Sequence, residues 1–323
     1  MEKTLITGAN GFVGSWMTKY LIEKGHDVKV LVRKNSNLDE LKGLDIEKVI
    51  GDITDADSLV NATKGVDSVF HLAGAVGYSK AARPLMDLVN VKGTQNVLEA
   101  CISNNIENML YFSSVTAIGA GFNKEEILNE DSEFNIHHLN LGYFETKHQA
   151  ENLVIKACME NKINAKIVNP ATIYGPGDLK KGSRKTQAKV AKGKFPFYTS
   201  GGVNIISIHD ILKYSYEIYK DGNPGERHIL GGENITIKRL FELIAKAASV
   251  PPPKIYLPNP MVHAIGKLGD LLEAKGKKGP INSENAWTST MFHWFDSSKV
   301  QKKFKMIPIS AEVAIKESVS WLP

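Results

Sequence analysis

The chain has 323 residues, 42% of them hydrophobic and 23% charged, with a formal net charge of +5. This length and apolar share support one large or two modest domains with a sizeable core and exclude a disordered or low-complexity chain. So mild a charge gives no case for a nucleic-acid partner, but it suits a phosphate-bearing ligand.

In chain order, Thr4-Leu5-Ile6 reads as a buried strand running straight into Gly8-Ala9-Asn10-Gly11-Phe12-Val13-Gly14. Glycines at positions 8, 11 and 14 permit a tight strand-to-helix reversal, let backbone N–H groups approach a pyrophosphate and allow close helix–sheet packing. The helix N-terminus then faces the anion. Val13, Trp16, Met17, Tyr20 and Leu21 recur at helical spacing, Gly25 stops the helix, and Val28 to Val32 supplies a second strand. The sequence therefore predicts a dinucleotide site.

Short apolar runs continue to alternate with helical patterns, the signature of a parallel sheet covered on both faces. The strands expected are 5–7, 28–33, 49–52, 69–73, 109–113 and 166–169, with helices starting near Asp55, Pro84 and Leu139, the last running towards Glu160. Beginning a strand at residue 4 leaves no room for a signal peptide, and no apolar run approaches a membrane span. Cys101 and Cys158 lie in apolar helical patterns and read as buried, reduced thiols. These features predict a soluble, cytoplasmic protein; a homodimer is left open.

After Pro170 loops, prolines and charged stretches increase. The expected division is a dinucleotide-binding domain over 1–170 and a mainly substrate-binding region over 171–323. Segments near 203–232, including Ile205 to Ile208 and His228 to Leu230, are expected to return to the main sheet. Ile237 to Ser249 is a strongly amphipathic helix ended by Pro251-Pro252-Pro253. Pro260 to Lys275 is another, with Val262, Ile265, Leu268, Leu271 and Leu272 on one side. This stripe reads as a cover for a small core or substrate pocket, with peripheral membrane contact as the alternative because lysines flank it. Lys180, Lys181, Arg184, Lys185, Lys189, Lys192 and Lys194 form a basic run near Asp178, read as a solvated helix face rather than an anion site. The nine histidines show no metal-ligand spacing, and no metal site is expected.

Tyr143 and Lys147 stand four apart on a predicted helix and share one face. An ammonium beside a phenol favours the phenolate, which would make Tyr143 an acid/base near neutral pH. Ser113 and Ser114 end the fifth expected strand, at the carboxyl edge where parallel sheets bind ligands. A serine hydroxyl there can donate to a substrate oxygen.

Together these residues resemble the extended short-chain dehydrogenase/reductase (NAD-dependent epimerase/dehydratase) family over nearly the whole chain. Thr7 to Gly14 is similar to its cofactor turn, Gly51-Asp52-Ile53 to its adenine-side strand end, and His71-Leu72-Ala73-Gly74 to its fourth strand end. Asn90 to Thr94 resembles its central helix, Phe112-Ser113-Ser114 with Tyr143 and Lys147 its catalytic set, and Asn169 to Asp178 the segment after its sixth strand. Gly231 to Asn234 and Phe295 to Lys299 bring it nearest to dihydroflavonol-reductase-like proteins, 3β-hydroxysteroid dehydrogenases and hopanoid-associated sugar epimerases.

The resemblance implies a doubly wound α/β Rossmann fold and a Ser-Tyr-Lys site of Ser114, Tyr143 and Lys147. Tyr143 would exchange a proton with the substrate oxygen, Lys147 would hold the nicotinamide ribose and depress the tyrosine pKa, and Ser114, with Ser113 as partner, would stabilise the oxyanion. Cofactor contacts are implied for Gly8, Asn10, Gly11, Phe12, Val13, Gly14, Arg33, Lys34, Asp52, Ile53, Leu72, Ala73, Gly74, Ser113, Tyr143 and Lys147, with Pro170 and Ile173 beside the nicotinamide. Asn90 is either structural or cofactor-proximal. Arg33, at the second strand's end, replaces the acidic residue of NAD-preferring sites, so NADP(H) is expected over NAD(H). Sugar-nucleotide members carry an arginine and an aspartate where this chain has Val203 and Asn204, so weak binding of diphosphate sugars is expected. Three activities follow, in decreasing order of fit. They are reduction of a ketone or oxidation of a secondary alcohol, a sugar or sugar-nucleotide epimerase or dehydratase, and a non-catalytic dinucleotide-binding regulator.

Overall fold

The computed structural model describes residues 1–177, 184–277 and 279–321. Lys180 and Lys181 of the basic run, and the neighbouring Asp178, lie outside these described residues.

β1 (Lys3–Thr7) leads through the glycine turn into α1 (Phe12–Glu23), and β2 (Asp27–Val32) follows. Then come β3 (Glu47–Ile50), α2 (Ala56–Ala62), β4 (Ser68–His71), α3 (Arg83–Met86) and α4 (Gly93–Ser103). β5 (Asn108–Phe112), α5 (Gly142–Met159) and β6 (Asn164–Pro170) complete the N-terminal part. The boundaries have local causes. Asp55 caps α2 by accepting from the N–H groups of Asp57 and Ser58. Asn161, in the left-handed region, breaks the chain between α5 and β6.

The remaining elements are β7 (Thr172–Tyr174), α6 (Lys185–Ala191), β8 (Phe197–Tyr198), β9 (Gly202–Ser207), α7 (Ile208–Asp221), β10 (Arg227–Leu230), β11 (Glu233–Thr236), α8 (Ile237–Ala247), β12 (Ile255–Tyr256), α9 (Asn259–Ala274), α10 (Ser283–Thr290), β13 (Phe292–His293), α11 (Ser298–Lys303) and α12 (Ala311–Val319).

Seven strands form one parallel sheet in the order β10-β6-β5-β4-β1-β2-β3. Alternating side chains feed two cores. Ile6, Val30, Phe70 and Leu110 face Met17 and Leu21 of α1 and Ile211 and Ile218 of α7. Leu5, Leu31, Val69 and Met109 face Leu59 of α2, Val97 of α4 and Val154 of α5. Strand order reverses between β1 and β4, so the crevice for a ligand opens at their carboxyl ends.

Of the two segments expected to rejoin the main sheet, only β10 does, pairing with β6 from Arg227↔Ile167 to Leu230↔Pro170. β9 instead becomes the centre of a second sheet, antiparallel to β11 and parallel to β7 and β13. Ile205 and Val203 of β9 pack with α8 and α12 in a separate core, where the sheet gains an apolar cover that the main sheet's edge, filled by β10, has no room to give. The apolar stripe expected on α9 is only partly used. Val262 is buried, but Leu268 and Leu271 are 53% and 63% exposed. The helix meets α10 through Gly266 and Gly269 instead, because only residues without a Cβ admit Ala286 and the Ile281 carbonyl that close.

Candidate active site

The glycine turn sits at the switch point. Gly8 has φ +75°, and a Cβ on it would lie 2.7 Å from the Ala73 backbone nitrogen; one on Gly14 would lie 2.1 Å from the Gly8 carbonyl oxygen. Backbone from β1, the β4 exit and α1 therefore converges as a cradle that a side chain would fill. Gly11 precedes α1 at its N-cap and supplies no side-chain cap, so the helix N-terminus is presented to the same edge. Asn10 reaches out of the turn to the Asn37 carbonyl, 3.4 Å away. Phe12 and Val13 of the turn pack against the α1–α7 core.

Arg33 and Lys34 are exposed immediately beyond β2, where the Ser36 N–H closes a turn on the Arg33 carbonyl. Asp52 is committed to its own loop, accepting from the backbone and hydroxyl of Thr54 at 2.9 Å. Ile53 is buried against Gly93, whose missing Cβ leaves room for it. Leu72, Ala73 and Gly74 follow β4, and Asn90 grips the next residue on both sides: it accepts from the Ala75 N–H at 2.7 Å and donates to the Ala75 carbonyl at 2.9 Å. Asn90 also donates to Thr146 of α5, so its role is structural, pinning the crevice wall to α5. It lies in a π-helical stretch, Asp87–Lys92.

Ser113 and Ser114 leave β5 beside α5, which carries Tyr143 and Lys147. Lys147 is buried, donating to the Phe112 carbonyl at 2.7 Å and to the Tyr111 hydroxyl at 3.4 Å. Burial pushes its pKa down to about 8, with Glu151 pulling the other way. Burial raises the Tyr143 pKa, and the group that counters it is the Ser114 hydroxyl. The lowering expected from Lys147 is thus replaced by one from Ser114, because the ammonium is directed at β5. Tyr143 remains a neutral phenol. Ser114 also accepts from the Thr116 N–H at 3.2 Å, while the Ser113 hydroxyl is buried with no hydrogen-bond partner among the described residues. That orphaned hydroxyl and the glycine cradle fit a polar cofactor lying along this edge. Pro170 ends β6 beside Leu230, and Ile173 lies on β7, half-buried against the α1–α7 core.

Other residues of the site have no role assigned from the sequence, whether they lie inside its motifs, as Thr7, His71 and Thr94 do, or outside them, as Tyr78 does. Thr7 bonds the His71 Nδ1 at 2.7 Å, and His71 Nε2 meets Thr94 at 3.1 Å, a buried polar chain below the cradle. Burial, with Lys147 assisting, pushes the His71 pKa down to about 3, so the ring is neutral. Tyr78 comes from a loop to stand edge-on to Tyr143, ring centres 6.1 Å apart, and its carbonyl accepts from Asn282 at 2.6 Å and Asn285 at 3.2 Å. Tyr143, Tyr78, Phe134, Leu139 and Trp287 all pack against one small core of Ala120, Ile136, Leu141, Phe144 and Met291. Loop and helix residues far apart in sequence form this cluster, so no local pattern could reveal it.

Asn204 is buried and spent on structure, accepting from the Gly232 N–H at 2.8 Å and donating to Asn234 at 2.8 Å. Val203 packs in the second core. In the basic run, Lys185, Lys189, Lys192 and Lys194 are exposed, as a solvated face requires, whereas Arg184 is buried with its guanidinium 3.7 Å from the Tyr174 ring centre. Among the described residues no group of three His, Cys, Asp or Glu is placed to hold a metal ion. Nor is any of their helices long and apolar enough to cross a membrane.

Residues 5–208, which contain the cradle, both serines, Tyr143 and Lys147, match the 3-beta hydroxysteroid dehydrogenase/isomerase family. The chain belongs to that family. Its members are NAD(P)-dependent reductases and dehydrogenases, and this chain is an enzyme of the same superfamily. It is 26% identical to the sterol demethylase protein B of Methylococcus capsulatus, over 98% of this chain and 97% of that one. The crystal structure of gox2253 is similar at 31% identity with a TM-score of 0.87, covering 99% of this chain and 98% of that one. The Thermus thermophilus UDP-glucose 4-epimerase in complex with NAD shares the fold, at 18% identity and a TM-score of 0.79, covering 99% and 98% of the two chains.

Proposed function

We propose that this family member reduces a ketone, or oxidises the corresponding secondary alcohol, with NADP(H) as the preferred coenzyme. The observation that carries the reading is the convergence of Ser114, Tyr143 and Lys147 beside the glycine cradle, with Tyr143 held as a neutral phenol. The coenzyme, when bound, supplies or accepts the hydride at the carbonyl carbon.

Tyr143 gives its proton to the carbonyl oxygen as that oxygen gains charge, and takes it back in the alcohol direction. Ser114, interacting with the phenol, donates to the same oxygen. Lys147, anchored on the Phe112 carbonyl at the end of β5, would turn its ammonium to the nicotinamide ribose. Gly8 to Gly14 would hold the pyrophosphate, Arg33 and Lys34 the adenosine 2′-phosphate, Asp52 and Ile53 the adenine side, and Leu72, Ala73 and Gly74 the other flank. Ser113, Pro170 and Ile173 would lie at the nicotinamide. The apolar cluster to which Tyr143 belongs, with Tyr78, Phe134 and Trp287, suits a largely apolar ketone. Val203 and Asn204 offer no cation for a diphosphate, which places an epimerase acting on sugar nucleotides second.

The test is NADPH oxidation by the purified chain against apolar ketones, aldehydes and sugar nucleotides, repeated with Tyr143→Phe. Turnover is expected with ketones, falling on the order of a hundredfold or more in Tyr143→Phe with coenzyme affinity kept. Near-native turnover by Tyr143→Phe, or micromolar calorimetric binding of a diphosphate sugar, would overturn the reading.

A further inference from the structure

Glu151 is fully buried on α5, one helical turn beyond Lys147, so that Tyr143, Lys147 and Glu151 follow one another at four-residue spacing on the face turned to β5 and β6. A carboxylate removed from water is costly unless paired. Both of its oxygens are engaged. Oε1 accepts from Arg227 Nε of β10 at 2.7 Å, and Oε2 accepts from Asn169 Nδ2 of β6. The same Asn169 amide donates to the Ser114 carbonyl at 3.2 Å, directly behind the serine at the reaction centre. Arg227 is held in turn by the Glu130 and Ser132 carbonyls at 3.3 and 3.5 Å, and its own carbonyl accepts from Lys299 at 2.7 Å. Nothing in the proton transfer itself requires this assembly.

We propose that Glu151 is a positioning residue of the reaction centre, its buried carboxylate supplying the countercharge for the Lys147 ammonium and locking Asn169 against the Ser114 carbonyl. The inference rests on the Ser-Tyr-Lys reading above. The groups facing Lys147 are the Tyr111 hydroxyl and Phe112 carbonyl of β5, neutral His71 of β4, and Glu151 of α5. Glu151 is the one anion among them. The groups facing Glu151 are Arg227, Asn169, Lys147 and Tyr111, whose phenol it disfavours from ionising. In an interior of low effective dielectric, a charge one turn away acts strongly on an ammonium that burial is pushing towards neutrality. Without Glu151, Lys147 would lose its proton at a lower pH. In Glu151→Gln the amide also faces Asn169 with a donor in place of an acceptor.

The measurement is NADPH affinity of the full chain, followed by nicotinamide fluorescence from neutral to alkaline pH and compared among the unmodified protein, Lys147→Met, Glu151→Gln and Glu151→Asp. The unmodified protein should lose affinity on an alkaline limb that Lys147→Met abolishes. In Glu151→Gln the limb should move down by about one pH unit, towards neutrality, because the protonated lysine has lost its countercharge. Glu151→Asp, which keeps the charge, should leave the limb in place. A merely structural glutamate would lower affinity or thermal stability in Glu151→Gln without moving the limb, and that result overturns the proposal. Should Glu151→Gln fail to fold, the double variant Glu151→Gln/Arg227→Met removes both members of the buried pair and should fold. A smaller downward shift is then expected, because the guanidinium that opposed the lysine's charge is gone as well, and an unmoved limb again sinks the idea. Failure of the parent reading looks different. Either the unmodified protein binds no NADPH, or Lys147→Met leaves the alkaline limb intact.

Discussion

The crevice at the β1–β4 switch point and the apolar cluster that includes Tyr143 are made of different material. The first is backbone: glycines that let β1, the β4 exit and the α1 N-terminus meet at distances no side chain tolerates. The second is side chain: Tyr78 from a loop, Phe134 from another, and Trp287 from α10 near the other end of the chain. A backbone site accepts any ligand with the common pyrophosphate chemistry, whereas a side-chain site is free to vary. The contrast explains why one half declares its ligand class and the other leaves its substrate open.

Two glycine substitutions break this comparison with the largest effects. In Gly14→Ala the new methyl would meet the Gly8 carbonyl oxygen at 2.1 Å, and backbone, not a flexible side chain, must give way. Overpacking strain of about 1–3 kcal/mol or more, placed in the cradle, should weaken NADPH binding by about fivefold to more than a hundredfold. Gly269→Ala makes a comparable clash, 1.7 Å from the Ile281 carbonyl oxygen at the α9–α10 contact. It should lower unfolding stability by a similar amount while coenzyme affinity stays near native. Equilibrium unfolding and a coenzyme titration on both variants separate the two outcomes. Equal losses of affinity would show that the two regions are one mechanical unit.

The sheet and the cradle were legible in the sequence because their causes are local. Leu5-Ile6, Val28 to Val32 and Val69-Phe70 are short apolar runs buried on both faces, and the glycine spacing at 8, 11 and 14 dictates the turn. β9 lies outside the main sheet, to which its sequence points, for an equally physical reason. Ile205 and Ile206 are as apolar as any main-sheet strand, and only the cover contributed by α8 and α12 decides which sheet takes them. Glu151 was within reach, standing one turn beyond Lys147, but its value depends on Arg227 from β10 and Asn169 from β6. Such long-range pairing has no sequence period. The same holds for Tyr78 and for the asparagines that hold its carbonyl.

An intermediate effect is expected at the crevice's far end. Arg33 and Lys34 stand exposed just past β2, where an acidic residue would accept hydrogen bonds from an unphosphorylated ribose and repel a 2′-phosphate. A guanidinium there pairs with the phosphate through charge-assisted bonds, each contributing roughly 1.5–3 kcal/mol. Catalytic efficiency should therefore favour NADPH over NADH by about tenfold to a hundredfold. Arg33→Asp should reverse the order. Equal efficiencies in the unmodified protein would leave Arg33 as a surface cation without a role in coenzyme choice.

The smallest effect sharpens the comparison within the C-terminal region, where apolarity and burial part company. Leu268 and Leu271 belong to the stripe that α9 displays in sequence, yet both are more than half exposed, at 53% and 63%. The helix contact is made by Gly266 and Gly269 on the adjoining face, against Ala286 and the Ile281–Asn282 backbone. Substituting an exposed side chain that packs little should change stability by no more than about 0.5 kcal/mol. Leu268→Ser and Leu271→Ser should each unfold within that margin of the unmodified protein, with NADPH affinity unchanged. A loss of about 2 kcal/mol or more in chemical denaturation, the range of a buried leucine, would mean that the stripe is covered in solution. The side-chain half of the molecule would then extend further across α9 than the chain alone builds it.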